Sequence, residues 1–213
     1  MRAELKKNQT DIEIEDLGAG SRVMPSNKRS ISSIAYNSLT SSRNSALLKS
    51  LIDYFKFEII VELGTSLGIN TAYLAHPSLV KKVFSFEGDK QLIGLAKQNL
   101  QELKLIKKVD LIHGNIDLAL PDFIDSLNHE IDFGFIDANH TKQASLKYFE
   151  LLKIKLSSNG IIVLDDINWN KEMREAWDFI RQDKLFTLSI ETYQFGILFK
   201  RAELAKEHWL LTF

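Results

Sequence analysis

Short apolar runs alternate with longer helical patterns along most of this chain. The apolar runs, each of the length of one buried strand, occupy residues 59–61, 83–86, 109–113, 131–136 and 161–164. Segments whose apolar residues recur at helical spacing occupy residues 69–75, 90–103, 116–127, 142–156 and 171–182. We expect an interruption of the third of these helices, 116–127, near Pro121. This alternation predicts a parallel sheet with helices on both faces.

Two β-rich runs, 186–191 and 195–200, follow the last of these helices and are separated by a short connection. We expect them to pair antiparallel. The predicted fold class is therefore α/β, a doubly wound Rossmann-like sheet, mostly parallel, of seven strands with an antiparallel closing strand. Residues 157–160, Ser-Ser-Asn-Gly, indicate a helix stop, and residues 202–210 are expected to form a last helix.

Residues 1–56 differ from the rest of the chain. Residues 21–45 are rich in serine, and residues 44–55 have the pattern of one helix. We interpret the segment either as a solvated connector with one helix or as a lid over the strand ends. The sequence Gly18-Ala19-Gly20 resembles a nucleotide-binding turn only faintly, because Val23 stands where a third glycine is expected.

Composition narrows the classes of partner. The chain has 213 residues and a formal net charge of −1, which gives no electrostatic case for nucleic acid or an anionic membrane. Cysteine is absent, which excludes disulfides and thiolate sites and fits a reducing compartment. The N-terminus lacks the apolar core of a secretory signal, and no apolar run is long enough to span a bilayer. We expect a cytoplasmic protein, with a homodimer left open.

The stretch 58–70 is the most informative part of the sequence. An apolar run ends at Glu62, and Gly64 and Gly68 follow before a helical segment. Glycine tolerates a positive φ and lets a ligand approach the backbone, while the first amides of the helix favour polar or anionic groups. Because the Glu62 carboxylate would repel a phosphate, the turn favours a cationic or hydroxyl-rich ligand.

Residues that could bind a ligand, through polar side chains or through the backbone of glycines, follow every strand of the predicted parallel set. They are Glu62, Gly64 and Gly68; Glu87, Gly88 and Asp89; Gly114 and Asn115; Asp137, Asn139 and His140; and Asp165, Asp166 and Asn168. A single acid after a strand is most often a helix cap. The fold nevertheless brings all these strand ends to one edge, which favours a binding site. An acid in the position of Glu87 commonly binds ribose hydroxyls, although it would also suit a cap for the next helix.

The order Glu62-x-Gly64-x-x-x-Gly68, then Glu87, resembles the S-adenosylmethionine site of the class I methyltransferases. The resemblance covers about residues 57–200 and implies that 57–213 is the S-adenosylmethionine-binding domain. It implies that the turn holds the methionine part, Glu87 the ribose and Asn115 the adenine. The residues it assigns to the cofactor are Glu62, Gly64, Thr65, Ser66, Gly68, Glu87, Gly88, Asn115, Ile116 and Asp137.

A narrower resemblance is to the catechol-type O-methyltransferases. Their Asp-Ala-x-Lys and Asp-Asn motifs bind a divalent cation and a hydroxylated small-molecule acceptor, and the lysine helps to deprotonate it. The present chain has Asp137-Ala138-Asn139-His140 and Asp165-Asp166 at these places. The resemblance implies a Mg²⁺ or Ca²⁺ site at Asp137, Asp165 and Asp166, with Mn²⁺ also acceptable, unless Asp166 caps the next helix.

His140 stands where that family has its lysine. Its ordinary pKa of about 6.5 suits removal of a proton from a phenol, and we expect Asp137 to raise this pKa. His140 and Asp137 are therefore the predicted catalytic residues, against the alternative that His140 only begins a helix.

Two other functions remain open at this point. One is a non-catalytic protein that keeps the fold for S-adenosylmethionine binding or for assembly. The other is a nicotinamide-dependent oxidoreductase, which the sequence disfavours because the turn has a lone Gly64 instead of a Gly-x-Gly start.

Overall fold

The computed structural model describes residues 1–14, 28–203 and 205–212. The Gly18-Ala19-Gly20 segment lies outside these residues. The helices are α1 (Arg2–Leu5), α2 (Ile31–Asn37), α3 (Ser42–Phe55), α4 (Ile69–Ala75), α5 (Lys90–Glu102), α6 (Ile116–Ser126), α7 (Lys142–Ile154) and α8 (Lys171–Ile180). The strands are β1 (Asp11–Glu13), β2 (Lys28–Ser30), β3 (Ile59–Leu63), β4 (Lys82–Glu87), β5 (Val109–His113), β6 (Ile131–Ile136), β7 (Leu156–Leu164), β8 (Leu188–Glu191), β9 (Gly196–Phe199) and β10 (Glu207–Leu210).

A mostly parallel sheet forms the centre of the fold, as the sequence predicts. Its strand order is β10-β8-β9-β7-β6-β3-β4-β5. Strands β8 and β9 pair antiparallel, and β9 also pairs antiparallel with β7. The chain divides into two compact units, which comprise Met1–Glu58 with Gly64–Ile116 and Ile59–Leu63 with Asp117–Phe213. We call them unit 1 and unit 2.

Unit 1 contains the glycine turn and the N-terminal arm, by which we mean the described residues of 1–56. Strands β4 and β5 pair parallel, with Glu87 opposite His113. One buried apolar cluster joins the arm to the turn, and its members are Leu5, Ile14, Ile31, Ile34, Ala35, Leu67, Ile69 and Leu92. Burial of such side chains stabilises the contact by roughly 1.5–3 kcal/mol each. The arm is therefore fixed against the residues that flank Gly68.

Unit 2 contains β3, β6 and β7, which pair parallel. Strands β3 and β6 are almost completely buried, and so are residues 160–164 of β7. Continuous apolar sequence in these strands matches burial on both faces of the sheet. The buried Trp177 of α8 donates from Nε1 to the Glu191 carboxylate at 2.8 Å, so its one polar atom is satisfied.

Three expectations about the elements are wrong. Residues 207–210 form β10, parallel to β8, so the sheet has eight strands and no helix forms there. Helix α6 continues through Pro121. Proline cannot donate to the carbonyl of Asp117, four residues earlier, and Lys147 Nζ donates to that carbonyl at 3.0 Å instead. Residues 157–160 lie inside β7, at a register irregularity opposite β6.

Within the described residues, no helix combines the length and the apolar character that a membrane crossing requires.

Candidate functional site

The glycine turn in unit 1 is anchored on the end of β4. The backbone amides of Gly64 and Thr65 both donate to the carbonyl of Phe86 at 3.0 Å. Three residues of the turn, Gly64, Ser66 and Gly68, have positive φ values of 101°, 48° and 72°. Helix α4 begins directly after Gly68, which serves as its N-cap. The turn therefore presents backbone amides at a helix start, as the sequence predicts for this motif.

Gly68 also lies where a side chain would not fit. A Cβ at this position would come within 3.0 Å of the Ala96 Cβ and 3.1 Å of the Ala96 Cα in α5. We expect Gly68→Ala to lower the free energy of unfolding by about 1–3 kcal/mol, because the residue must also adopt a left-handed backbone. Urea unfolding measures this change.

Gly94→Ala is the matched control, since it makes the same substitution in the neighbouring helix α5. A Cβ at Gly94 meets nothing within 4 Å. We expect this variant to be neutral or to gain roughly 0.5–1 kcal/mol, because alanine favours a helix interior. Equal destabilisation of both variants would contradict the special role of Gly68.

Glu87 connects the turn to the end of β4. Its Oε2 accepts a hydrogen bond from the Ser66 amide at 2.8 Å, and its Oε1 accepts one from the Asp89 amide at 3.0 Å. Helix α5 is capped by Asp89, whose Oδ1 accepts from the Leu92 amide at 2.7 Å. Glu87 is therefore not the helix cap, which removes the main alternative to a ligand-binding role.

Burial raises the pKa of the Glu87 carboxyl, while the amides of Asp89 and Ser66 act in the opposite direction. Each carboxylate oxygen carries two lone pairs, so accepting one amide leaves room for a hydroxyl donor. The side chain is half-buried, which allows a ligand to reach it. Glu87 can thus accept the two hydroxyls of a ribose.

The other residues predicted to bind a cofactor are divided between the units. In unit 1, Thr65 is buried and its Oγ1 lies 2.6 Å from Ser85 Oγ, whereas Gly88 and Asn115 are half-buried. Ile116 is the first residue of α6 and is also half-buried. In unit 2, Glu62 is completely buried within β3.

The carboxyl ends of β6 and β7 in unit 2 carry a compact group of titratable side chains. Asp137, His140 and Asp166 each offer a ligand atom, and these atoms all lie within 4.8 Å of one another. His140 Nε2 is 3.6 Å from Asp137 Oδ1, and the two side chains are 28% and 21% exposed. We call these three residues the acidic–histidine cluster.

The backbone around this cluster is unusual. Asn139, His140 and Asp166 have positive φ values of 65°, 31° and 53°. Each left-handed residue other than glycine costs about 1–2 kcal/mol, and such residues concentrate at functional sites. The His140 carbonyl accepts a hydrogen bond from Asn170 Nδ2 at 3.1 Å, which ties the loop to the start of α8.

His140 is a loop residue and does not begin α7, since Thr141 is the N-cap of that helix. Burial lowers the pKa of His140, and the neighbouring Asp166 carboxylate partly opposes this change. The expectation of a raised pKa is therefore wrong, and the carboxylate that opposes the lowering is that of Asp166. Burial likewise raises the pKa of Asp166, against the effect of His140. A neutral imidazole can accept a proton or bind a metal ion.

Asp165 and Asp166 have different environments although they are adjacent. Asp165 is only 2% exposed, and its Oδ1 accepts a hydrogen bond from the Asp166 amide at 2.7 Å. The metal-ligand group found among the described residues contains His140 in place of Asp165. Asp166 does not cap α8, because Asn170 Oδ1 accepts from the Met173 amide there.

Sequence reasoning missed Asn170 and gave Asn139 no role beyond its place at a strand end. Asn170 caps α8 and also donates a hydrogen bond to the His140 carbonyl. From the sequence alone, an asparagine before a helix indicates only the cap. Asn139 Nδ2 donates to the hydroxyl of the buried Tyr148 at 3.4 Å. Trp169 lies in the loop before α8, is 46% exposed, and has its ring centroid 6.4 Å from that of His140.

Comparison with known proteins gives a consistent result. A family model described as "Methyltransferase domain" matches residues 61–167. The chain is similar in structure to an O-methyltransferase from Bacillus cereus in complex with SAH, with 20% identity, a TM-score of 0.68 and coverage of 78% of this chain and 84% of that one. The O-methyltransferase TomG from Streptomyces achromogenes, involved in tomaymycin synthesis and in complex with SAM, has 18% identity, a TM-score of 0.67 and coverage of 77% and 82%.

A third similar structure is the SAH-bound methyltransferase PaMTH1 from Podospora anserina. Its identity is 18%, its TM-score 0.64 and the coverage 75% of this chain and 79% of that one. No curated protein matches the chain significantly in sequence.

Proposed function

We propose that this chain, which belongs to the methyltransferase domain family, transfers a methyl group from S-adenosylmethionine to a hydroxyl oxygen of a small molecule. The observation that carries the proposal is the position of Glu87. Its carboxylate is tied to the glycine turn through the Ser66 amide, at the place where a ribose diol is expected. The similar folds include O-methyltransferases described as complexes with SAM or SAH, which supports the same donor here.

On the donor side, we propose that the amides of the glycine turn meet the amino-acid part of the donor, with Glu62 nearby in sequence. Gly64, Thr65, Ser66 and Gly68 supply this backbone, and Gly88, Asn115, Ile116 and Asp137 complete the set predicted from the sequence. The packing of Leu5, Ile31 and Ile34 against Leu67 and Ile69 supports a role for the N-terminal arm in fixing the turn. The arm is then part of the donor site, in keeping with the interpretation of residues 1–56 as a lid.

On the acceptor side, we propose that the acidic–histidine cluster prepares the hydroxyl group. Asp137 and Asp166 accept hydrogen bonds from a hydroxylated acceptor, and His140 belongs to the same group. The predicted catalytic pair, His140 and Asp137, belongs to this cluster. A divalent cation bound there would act as a Lewis acid and lower the pKa of the acceptor hydroxyl.

The main task of the protein in this reaction is to align the acceptor oxygen with the methyl group of the donor. The acceptor oxygen attacks the methyl carbon, a carbon–oxygen bond forms, and the carbon–sulfur bond of the sulfonium breaks with its electron pair on sulfur. The products are a methyl ether, S-adenosylhomocysteine and the proton of the hydroxyl group. Holding the oxygen and the methyl carbon in line supplies most of the acceleration.

Calorimetry with S-adenosylmethionine and S-adenosylhomocysteine tests the donor half of the proposal. We expect both compounds to bind with one site per chain, and failure of both to bind would overturn it. Transfer of a radiolabelled methyl group to catechol or phenol tests the acceptor half. Donor binding without transfer to any member of a broad hydroxylated panel would favour the alternative of a non-catalytic or assembly protein.

We also propose that the acceptor is a small molecule and that the protein works in the cytoplasm, as the composition leads us to expect. Neither a membrane nor a nucleic acid is part of the proposal, and a homodimer is compatible with it. A sedimentation measurement of the purified chain separates the monomer from the dimer.

A further inference from the structure

The acidic–histidine cluster differs in its donor atoms from the all-oxygen site that the sequence resemblance implies. That expected set was Asp137, Asp165 and Asp166. In the structure, Asp165 is buried and engaged with the Asp166 amide, and an imidazole joins two carboxylates instead. The three ligand atoms lie within 4.8 Å of one another. An ion with bonds of about 2.1 Å holds opposite ligands about 4.2 Å apart, so small side-chain movements would close the group around one ion.

A second observation points to a missing ligand at His140. Its Nδ1 atom is buried, and within the described part of the chain it has no hydrogen-bond partner. Buried polar atoms are nearly always paired, and an unpaired one calls for an explanation such as a bound ion. The other ring nitrogen, Nε2, faces Asp137 Oδ1 at 3.6 Å. One ring nitrogen of His140 therefore lies beside a carboxylate of the cluster, and the other has no protein partner among the described residues.

We infer that His140 is a metal ligand and that the acidic–histidine cluster binds a first-row transition-metal dication, of the Mn²⁺ to Zn²⁺ class, in preference to Mg²⁺ or Ca²⁺. Magnesium and calcium favour oxygen donors, whereas imidazole favours the transition metals. The inference rests on the proposed function for the role of the ion in methyl transfer. A bound ion would lower the pKa of the acceptor hydroxyl, whose proton would pass to solvent, and His140 would serve as a ligand instead of as the base. The left-handed loop at Asn139 and His140 then serves to direct the ring towards the carboxylates.

Metal binding by the full-length chain, without any acceptor, tests this inference. After treatment with chelator, calorimetry is performed with MnCl₂ and with MgCl₂. We expect Mn²⁺ to bind at least about tenfold more tightly than Mg²⁺. His140→Asp supplies a carboxylate oxygen in place of the ring nitrogen, and aspartate tolerates a positive φ. In this variant we expect the ratio of the two affinities to fall towards one. Pulsed electron paramagnetic resonance of the Mn²⁺-loaded protein should detect an imidazole nitrogen in the wild type and not in His140→Asp.

Two control variants sharpen the result. His129→Asp makes the same change at an exposed histidine in unit 2 and should keep both the metal preference and the nitrogen signal. Asp165→Asn preserves an oxygen for the Asp166 amide and should bind Mn²⁺ within about twofold of the wild type. Equal affinity for the two metals in the wild type, a nitrogen signal that survives in His140→Asp, or loss of Mn²⁺ binding in Asp165→Asn would each overturn the inference.

The same preparations are titrated with S-adenosylmethionine. This titration distinguishes a failure of the metal-site inference from a failure of the proposed methyltransferase function. Donor binding together with no metal preference overturns the inference and returns His140 to the role of base, while the proposed function stands. Absence of donor binding overturns the proposed function whatever the metal result.

Discussion

Replacing Glu87 with alanine is expected to weaken S-adenosylmethionine binding by at least about 100-fold. The substitution removes the two carboxylate oxygens that are placed to accept ribose hydroxyls, and each such charged hydrogen bond contributes about 1.5–3 kcal/mol. It also leaves the Ser66 amide without its 2.8 Å partner, so the glycine turn loses a constraint. Isothermal titration calorimetry of the wild type and the variant measures the loss.

Two further variants complete the experiment: one removes the charge of Glu87 but keeps its shape, and the other is a control at an exposed acid. Glu87→Gln keeps one acceptor oxygen and should lose about tenfold in affinity. Glu102→Ala removes an exposed acid from α5, in the same unit, and should bind the donor as the wild type does. Wild-type affinity in Glu87→Ala would exclude the ribose role.

The pH dependence of donor binding follows from the same side chain. Burial raises the pKa of the Glu87 carboxyl, so it takes up a proton at a higher pH than an exposed glutamate does. The protonated form has lost the charge that strengthens its hydrogen bonds, and affinity should fall as the pH is lowered through this raised pKa. Titrations between about pH 7 and pH 5 should show the fall in the wild type and not in Glu87→Gln.

Replacing His140 with glutamine is expected to lower kcat by at least about 100-fold and to leave donor affinity within about twofold. The imidazole belongs to the cluster that prepares the acceptor, whereas Glu87 and the glycine turn lie in unit 1. Methyl transfer to a phenolic acceptor measures kcat, and calorimetry measures donor binding on the same sample.

His129→Gln is the matched control for this experiment, because it makes the same change at an exposed histidine. It should retain the wild-type kcat. A His140→Gln enzyme with unchanged turnover would remove His140 from the reaction, and one that also lost donor binding would point to a general disturbance of the fold.

The backbone of the glycine turn could be predicted from the sequence because its rules are local. A strand that ends in a glycine turn and opens a helix has a recognisable spacing, and Gly64 and Gly68 adopt the positive φ that this turn requires. Glu87 was found because an acid after the second strand has a known position relative to that turn. The resemblance to class I methyltransferases, drawn from these residues, is confirmed by the family match over residues 61–167.

The acceptor half could not be predicted in the same way. Asp165 and Asp166 are neighbours in sequence, and both follow β7. Asp166 joins His140 because its backbone is left-handed, with φ of 53°, while Asp165 turns back to accept the Asp166 amide. Local sequence gives no signal for a left-handed aspartate, so the different environments of Asp165 and Asp166 could not be foreseen. The role of Asp165 as a metal ligand stays a prediction.

The errors in the fold share a non-local cause. Strand β10 forms because residues 207–210 find β8 as a parallel partner, which lies outside any window of the sequence. Helix α6 tolerates Pro121 because Lys147 of α7 donates a hydrogen bond to the Asp117 carbonyl, which has no donor from the proline. Propensity alone predicts neither of these long-range partners.

Three residues with left-handed backbone follow strands β6 and β7, and they set a high melting temperature against the proposed catalytic role. Glycine would adopt the backbone of Asn139, His140 or Asp166 with less strain, so glycine variants stand to gain melting temperature. A stability-guided screen of this protein would therefore select such variants and, at His140 and Asp166, discard the two side chains of the proposed acceptor site. Thermostable libraries made from this chain need these positions held constant.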